Sequence, residues 1–139
     1  MSDTNHASAL PVSFRVIAGI GLLWNSIGAG LYLLARLDPQ SVMGSAPQEM
    51  QDYAANMPLW ANIGYGFGIW ASFAGSMLML LRSRHAVTAF VVSFVGAAAS
   101  FGAQALAGVL GPAEPALILS VIALLWWYCR RARGLGILK

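Results

Sequence analysis

The side chains in this 139-residue chain that are placed for chemistry are polar and uncharged. Asn25, Tyr32, Asn62, Ser100 and Gln104 lie inside long apolar stretches. Amides and hydroxyls supply donors and acceptors without charge, which suits a small neutral, sugar-like or polar organic solute held in a cavity. The same groups suit a second role, because amide side chains hydrogen-bond across packed helices, and Asn25 and Gln104 fit it. Ionisable groups are missing from these stretches. No Asp, Glu, Lys or Arg falls between Val16 and Ala35, between Tyr53 and Leu81, between Ala86 and Ala113, or between Pro115 and Cys129. Proton relays and ion-coupled pumps need such a group at membrane depth. No His/Cys/Asp/Glu cluster within the stretches offers a metal site. No nucleophile elbow, phosphate loop or dinucleotide fingerprint is present. A lone cysteine, Cys129, excludes an intrachain disulfide and paired-thiol chemistry. Without an acid, base or nucleophile pair, the expectation is a protein that is not an enzyme and takes no cofactor or metal.

The elements that carry these residues follow from composition. Hydrophobic residues are 58% of the chain and charged residues 9%, against roughly 25% charged in ordinary soluble domains. So few charges cannot cover the surface of a chain this small in water. That excludes a soluble globular enzyme, a disordered tail and a disulfide-stapled module. A span needs about 20 apolar residues. Four are expected, near 14–37, 59–82, 86–110 and 113–130. Lipid offers the backbone no hydrogen-bond partner, so runs this apolar must be helical, and strand alternation is absent. Pro11 precedes the first helix, Asp38-Pro39 follows it, Pro58 precedes the second, and Gly111-Pro112 divides the third from the fourth. Glu114 falls in the first turn of the fourth, where a carboxylate meets the positive end of the helix dipole. The connections Arg82–His85 and Gly111–Pro115 are short and force antiparallel neighbours.

The long first loop adds a further element. Ser45-Ala46-Pro47-Gln48 reads as a capping box, and Met50, Tyr53, Ala54 and Met57 recur at helical spacing. The fold class expected is therefore all-α integral membrane. It is an antiparallel four-transmembrane-helix bundle forming a single domain over 1–139, with a short amphipathic surface helix at about 46–57 in the first loop. Within the bundle, Gly21, Asn25, Gly28 and Tyr32 share one face of the first helix. Gly64, Gly68, Ser72 and Ser76 share one of the second, and Ser93, Gly96, Ser100 and Gln104 one of the third. Small residues at this spacing let backbones approach closely. So thin a bundle leaves little room for an internal path. Trp24 and Trp70 lie within spans and face protein or stack on a ligand ring.

Orientation follows the basic residues, which sit at segment ends, as lipid contact rather than nucleic-acid binding requires. Arg15, Arg82, Arg84, Arg130, Arg131, Arg133 and Lys139 fall on one side, and Arg36 alone falls on the other. Both termini are then cytoplasmic, with Arg82, Arg84, Arg130, Arg131 and Arg133 as topology anchors. Trp126, Trp127 and Tyr128 form the inner aromatic belt, and Trp60 belongs to the outer one.

A set of motifs adds to this reading: Leu23-Trp24-Asn25-x-x-Gly28, Asp52-Tyr53, Pro58-x-Trp60, and Ile69-Trp70-Ala71-x-x-x-Gly75 followed by Leu80-Leu81-Arg82-Ser83-x-x-Ala86. Together they resemble small four-helix bacterial inner-membrane proteins often labelled "sugar transporter". The resemblance covers about residues 16–105, and the fourth helix is less clearly similar. It implies a bacterial inner membrane and solute transport, and it defines no catalytic or ligand residue. Two functions fit. The first is a non-catalytic accessory or structural subunit of a larger membrane complex, docking through the acidic Pro47–Met57 segment. The second is a homo-oligomeric transporter or channel for a small neutral polar solute. Lipid is the partner common to both, and neither involves nucleic acid.

Overall fold

The computed structural model describes residues 10–139. They form six helices and, among the described residues, no strand: α1 (Val12–Leu37), α2 (Pro39–Met43), α3 (Gln48–Ala55), α4 (Leu59–Leu80), α5 (His85–Leu106) and α6 (Ala113–Gly134). Four of them, α1, α4, α5 and α6, are long and apolar enough to span a membrane. At 1.5 Å per residue even the shortest of these reaches roughly 33 Å, beyond the hydrocarbon thickness of about 30 Å. Leu23, Leu31, Phe67, Val95, Leu117 and Leu124 point outward from them. In water such a surface would be a large penalty, and in acyl chains it costs nothing. The protein is an all-α multipass membrane bundle.

The first loop differs from expectation in two ways. It holds two short helices, not one. The first, α2, opens on Pro39, where a missing N–H is harmless, and Ser41 bonds back to the Asp38 carbonyl. Five residues are too few to show periodicity, so nothing in the pattern marks this helix. The second, α3, starts and ends inside the expected 46–57. Ser45 does not cap it. Ala46 precedes a proline and is steered away from helical angles, so Pro47 becomes the cap and its carbonyl receives the Met50 and Gln51 N–H groups. Gln48, the expected return arm of the capping box, donates instead to the Asp52 carboxylate at 2.9 Å. At the far end Met57 precedes Pro58 and is excluded by the same rule, and Asn56 closes α3 by donating to the Asp52 carbonyl.

The long helices also end differently. α5 stops at Leu106 rather than 110, because Gly108 takes a φ of 74° and closes a Schellman turn. In it Val109 N–H donates to Gln104 O at 3.0 Å and Gly108 N–H to Ala105 O at 3.1 Å. α6 runs past 130 to Gly134, and Gly136 at φ 74° makes the same turn there. α4 ends in this motif too, but with Arg82 in the left-handed position at φ 59°. For a residue with a Cβ that conformation costs about 1 kcal/mol. The chain after α6 docks on this turn. Lys139 N–H donates to Arg82 O at 2.8 Å, Arg84 N–H to Lys139 O at 2.9 Å, and Arg82 Nε–H to Ile137 O at 3.1 Å. Leu138 is buried beneath them.

Packing is tightest between α4 and α5, along the small-residue faces expected of them. A Cβ on Gly96 would lie 2.7 Å from Gly64 O and 2.8 Å from Gly68 N, so the two backbones are in direct contact. Ser93 Oγ donates to Gly68 O at 2.6 Å across this seam. Gly75 lies flat on the Phe90 ring. α1 joins on the Gly21–Asn25 face of its surface. The end of the bundle that carries the α4–α5 turn is filled by Phe14, Ala18, Met79, Phe90, Leu125 and Cys129. The Phe14 and Tyr128 rings stack there, 6.2 Å apart, so the start of α1 and the end of α6 share one end. It is termed the basic end below, and the opposite one the loop end.

Candidate functional site

Between the seam and α6, toward the loop end, the four long helices enclose a cavity of about 340 Å³. α1 contributes Asn25 and Gly28, α4 Tyr65 and Ser72, α5 Ser100 and Gln104, and α6 Glu114 and Ile118. The bundle therefore has more internal room than its thinness suggests. The dry core around Leu125, Phe90 and Met79 closes the cavity toward the basic end, and the cavity's side is open between α1 and α6, where the exposed Trp24, Ile27, Leu31 and Leu117 line it. Glu114 stands at the other end, exposed.

Of the five polar residues singled out from sequence, Asn25, Ser100 and Gln104 line this cavity. Their bonding differs. Asn25 is the centre of a buried knot between α1 and α4: its Nδ2 donates to Ser76 Oγ at 2.6 Å, and its Oδ1 accepts from Ser72 Oγ at 2.7 Å. Both amide ends are thus engaged by protein. Ser100 is 3% exposed, and its hydroxyl is sealed from the cavity and has no partner among the described residues. The buried serines of the seams, Ser72, Ser76 and Ser93, are all bonded. Gln104 is half-buried, and its side-chain amide forms no hydrogen bond to a described residue.

Tyr32 and Asn62 lie elsewhere. They line a shallow groove of about 420 Å³ between α1 and α4 at the loop end, with Arg36, Gly66, Phe67 and Trp70. Arg36 lies over the Tyr32 ring at 5.1 Å, donates to the Tyr32 hydroxyl at 3.3 Å and donates to the Asn62 side-chain Oδ1. Tyr32 also meets Tyr65 and Trp70, with ring centroids 5.2 and 6.0 Å away. Trp70 therefore packs on protein aromatics, whereas Trp24 lines the cavity with its indole partly outward.

Ser72, Tyr65 and Glu114 are cavity residues that sequence reasoning did not single out as ligand contacts. Tyr65, Gly68 and Ser72 follow an i, i+3, i+7 pattern on one helix face, so a search for polar partners of the glycine stripe finds them. The dipole argument places Glu114 only at a helix start; no local signal shows that it stands at the cavity mouth. At the basic end the anchors divide their work. The Arg130 and Arg131 guanidinium groups lie over the Trp126 and Trp127 rings at 5.0 and 5.8 Å. Arg82 is committed to the C-terminal turn, and Arg84 and His85 are exposed.

Among the described residues, no three His, Cys, Asp or Glu side chains come together. No protein-family model matches the chain, and no curated protein or solved structure matches it. The cavity's own chemistry, a chamber closed toward the basic end with an unbonded amide in its wall and a carboxylate at its mouth, is thus what its function must be argued from.

Proposed function

We propose that this protein is a non-enzymatic solute-binding component of a bacterial inner membrane, holding a small neutral polar, sugar-like molecule in the cavity toward the loop end. The observation that carries the reading is the Gln104 amide, which lines the cavity half-buried and bonds to no described residue. The Ser100 hydroxyl beside it is sealed from the cavity and can turn to the carbonyl one turn back on its own helix. A ligand hydroxyl would meet the Gln104 amide, with the Glu114 carboxylate at the cavity mouth as a further contact. A chamber closed at one end is a holding site rather than an open pore. Transport through it requires the helices to move, and a homo-oligomer supplies surfaces for them to move against. Asn25 acts here as a structural support of the wall.

The residues that support orientation are those at the basic end, where Arg82, Arg84, Arg130, Arg131 and Arg133 gather, against Arg36 at the loop end. Both termini are then cytoplasmic. A reporter active only in the periplasm and fused to the C-terminus should stay silent; activity there would reverse the assignment.

The cavity reading is tested by thermal unfolding in detergent against a panel of neutral monosaccharides and polyols. Gly28→Leu serves as the filled-cavity control, because Gly28 lines the cavity and a Cβ there meets nothing within 4 Å. A solute at about 100 times its Kd stabilises by roughly 2.7 kcal/mol. At least one sugar should shift the wild type and not the control. If every solute shifts both proteins alike, the cavity is not the site. A second reading, an accessory subunit, is favoured by one feature: Glu49 and Asp52 are exposed on α3, which stands apart from the bundle core. Cross-linking through α3 should then recover another membrane protein, and self-contacts alone would count against it.

A further inference from the structure

We propose that the groove between α1 and α4 at the loop end is a specific site for one phospholipid with a net anionic headgroup, distinct from the solute cavity. Its lower part is apolar and faces the bilayer: Phe67 is 57% exposed and Trp70 38% exposed, and Gly66 forms the floor. A Cβ on Gly66 would lie 3.4 Å from the Tyr32 hydroxyl, so this glycine leaves the shallow groove unfilled. An acyl chain fits such a channel. Its upper end carries Arg36, in the last turn of α1.

Arg36 is the only Lys or Arg at this end among the described residues. Its guanidinium is oriented by the Tyr32 ring beneath it and by the Asn62 side-chain Oδ1 on α4. These contacts go through one Nη; Nε and the other Nη bond to no described residue. A guanidinium has five N–H groups in a fixed fork that matches a phosphate. Holding the fork at the top of an apolar channel places a phosphate where a phospholipid has one. A zwitterionic headgroup brings its own ammonium toward the same guanidinium, so a net negative lipid is preferred. The occupant is thus a membrane lipid such as phosphatidylglycerol, since a free phosphate would leave the channel unfilled.

Trp70 reports on the groove. In a protein with Trp24, Trp60, Trp126 and Trp127 changed to Phe, its fluorescence is titrated with phosphatidylglycerol or phosphatidylcholine brominated on the acyl chains. Phosphatidylglycerol should reach half-quenching at an about five-fold lower mole fraction, the factor for one basic residue at an anionic surface. Arg36→Gln should abolish that ratio, whereas Arg130→Gln, Arg131→Gln and Arg133→Gln together should leave it unchanged. Equal quenching by the two lipids with Arg36 present, or a ratio that survives Arg36→Gln, would overturn the site. Should the four-Phe background fail to fold, native mass spectrometry with the same lipids replaces it. Wild type should retain one more phosphatidylglycerol than Arg36→Gln, and equal retention would overturn the proposal.

Discussion

Asn25→Leu probes how α1 is held to α4. Asn25 spends both ends of its amide on α4, donating to Ser76 at 2.6 Å and accepting from Ser72 at 2.7 Å. In a bilayer an interhelical hydrogen bond averages about 0.6 kcal/mol and reaches about 1.7. Leucine removes two of them. The stranded serines recover part of the loss by turning to carbonyls one turn back on their own helix. A net destabilisation of about 1–2 kcal/mol follows, a roughly 5- to 30-fold change in the unfolding equilibrium. Equilibrium unfolding in mixed micelles measures it. The decisive comparison is Asn25→Leu made in a Ser72→Ala, Ser76→Ala background, where the knot no longer exists. There the substitution should cost about 1 kcal/mol less. An identical cost in both backgrounds would refute the claim that these bonds hold the helices. Ser100→Ala makes the opposite case. Its hydroxyl has no protein partner, so removing it should leave stability unchanged or raise it by up to about 1 kcal/mol. Loss of stability in Ser100→Ala would mean that the hydroxyl is structural. Gln104→Leu should reduce solute-induced stabilisation, and an unchanged response would cost the solute reading its main support.

Three further outcomes follow from the geometry. Gly96→Ala should destabilise by roughly 1–3 kcal/mol, since its Cβ would meet backbone atoms at 2.7 and 2.8 Å that cannot move independently; Gly30→Ala, with nothing within 4 Å, should be neutral or stabilise by up to about 1 kcal/mol in the same unfolding assay. Arg82→Gly should be more stable than Arg82→Ala by about 1 kcal/mol, because both lose the bond to Ile137 O and only glycine relaxes the φ of 59°. Burial raises the Tyr53 phenol above its ordinary 10.0. The unfolded segment therefore ionises first, and the stability this group lends to α3 is complete below pH 10.0 and is lost as pH rises through the higher folded value. Hydrogen exchange of α3 should accelerate across that range in wild type, and Tyr53→Phe should remove the step.

What could be read in advance and what could not divide along one physical line. Properties that depend on the medium were legible, because hydrocarbon tolerates so few alternatives: uncharged runs of this length have to be helices, and helices joined by Arg82–His85 have to be antiparallel. The glycine and serine stripes were legible too, since only backbone-to-backbone contact makes use of a missing side chain, as Gly64 and Gly96 now do. Local ends were less so. Whether Ser45 or Pro47 starts α3 turns on a steric clash one residue before a proline. Whether α5 ends at 106 or 110 turns on which of two nearby glycines, Gly108 or Gly111, goes left-handed. Least legible was the grouping of polar residues. Asn25, Tyr32 and Asn62 look alike in sequence, yet one is tied into a knot and the other two are drawn outward by Arg36, whose charge seeks partners at the membrane edge.

The position of the cavity itself has a cause in residue size. α4 and α5 touch through glycine, and α1 reaches α4 through Gly21 and Asn25. The fourth long helix, by contrast, has no glycine between Ala113 and Arg133, and its one serine there, Ser120, is exposed. It meets the others through Ile118, Ile122 and Leu125. Such side chains hold a helix away from its neighbours, whereas a glycine seam draws two together. At the basic end the gap is filled, because Phe14, Phe90 and Met79 reach into it. Toward the loop end the facing positions are Gly28, Gly68, Ala97 and Ser100, which are too small to do so. A chamber must then form there, open toward Glu114 and closed below. Its polar lining is what remains when the small residues needed for the seam are serine rather than alanine. Replacing Ala97 by leucine should therefore fill the chamber from the α5 side as Gly28→Leu does from α1. Because Ala97 also packs against Gly68, with the two backbones in contact, it should cost stability where Gly28→Leu does not. If both variants unfold alike, side-chain size on the seam does not set the spacing of the bundle, and the cavity has another origin.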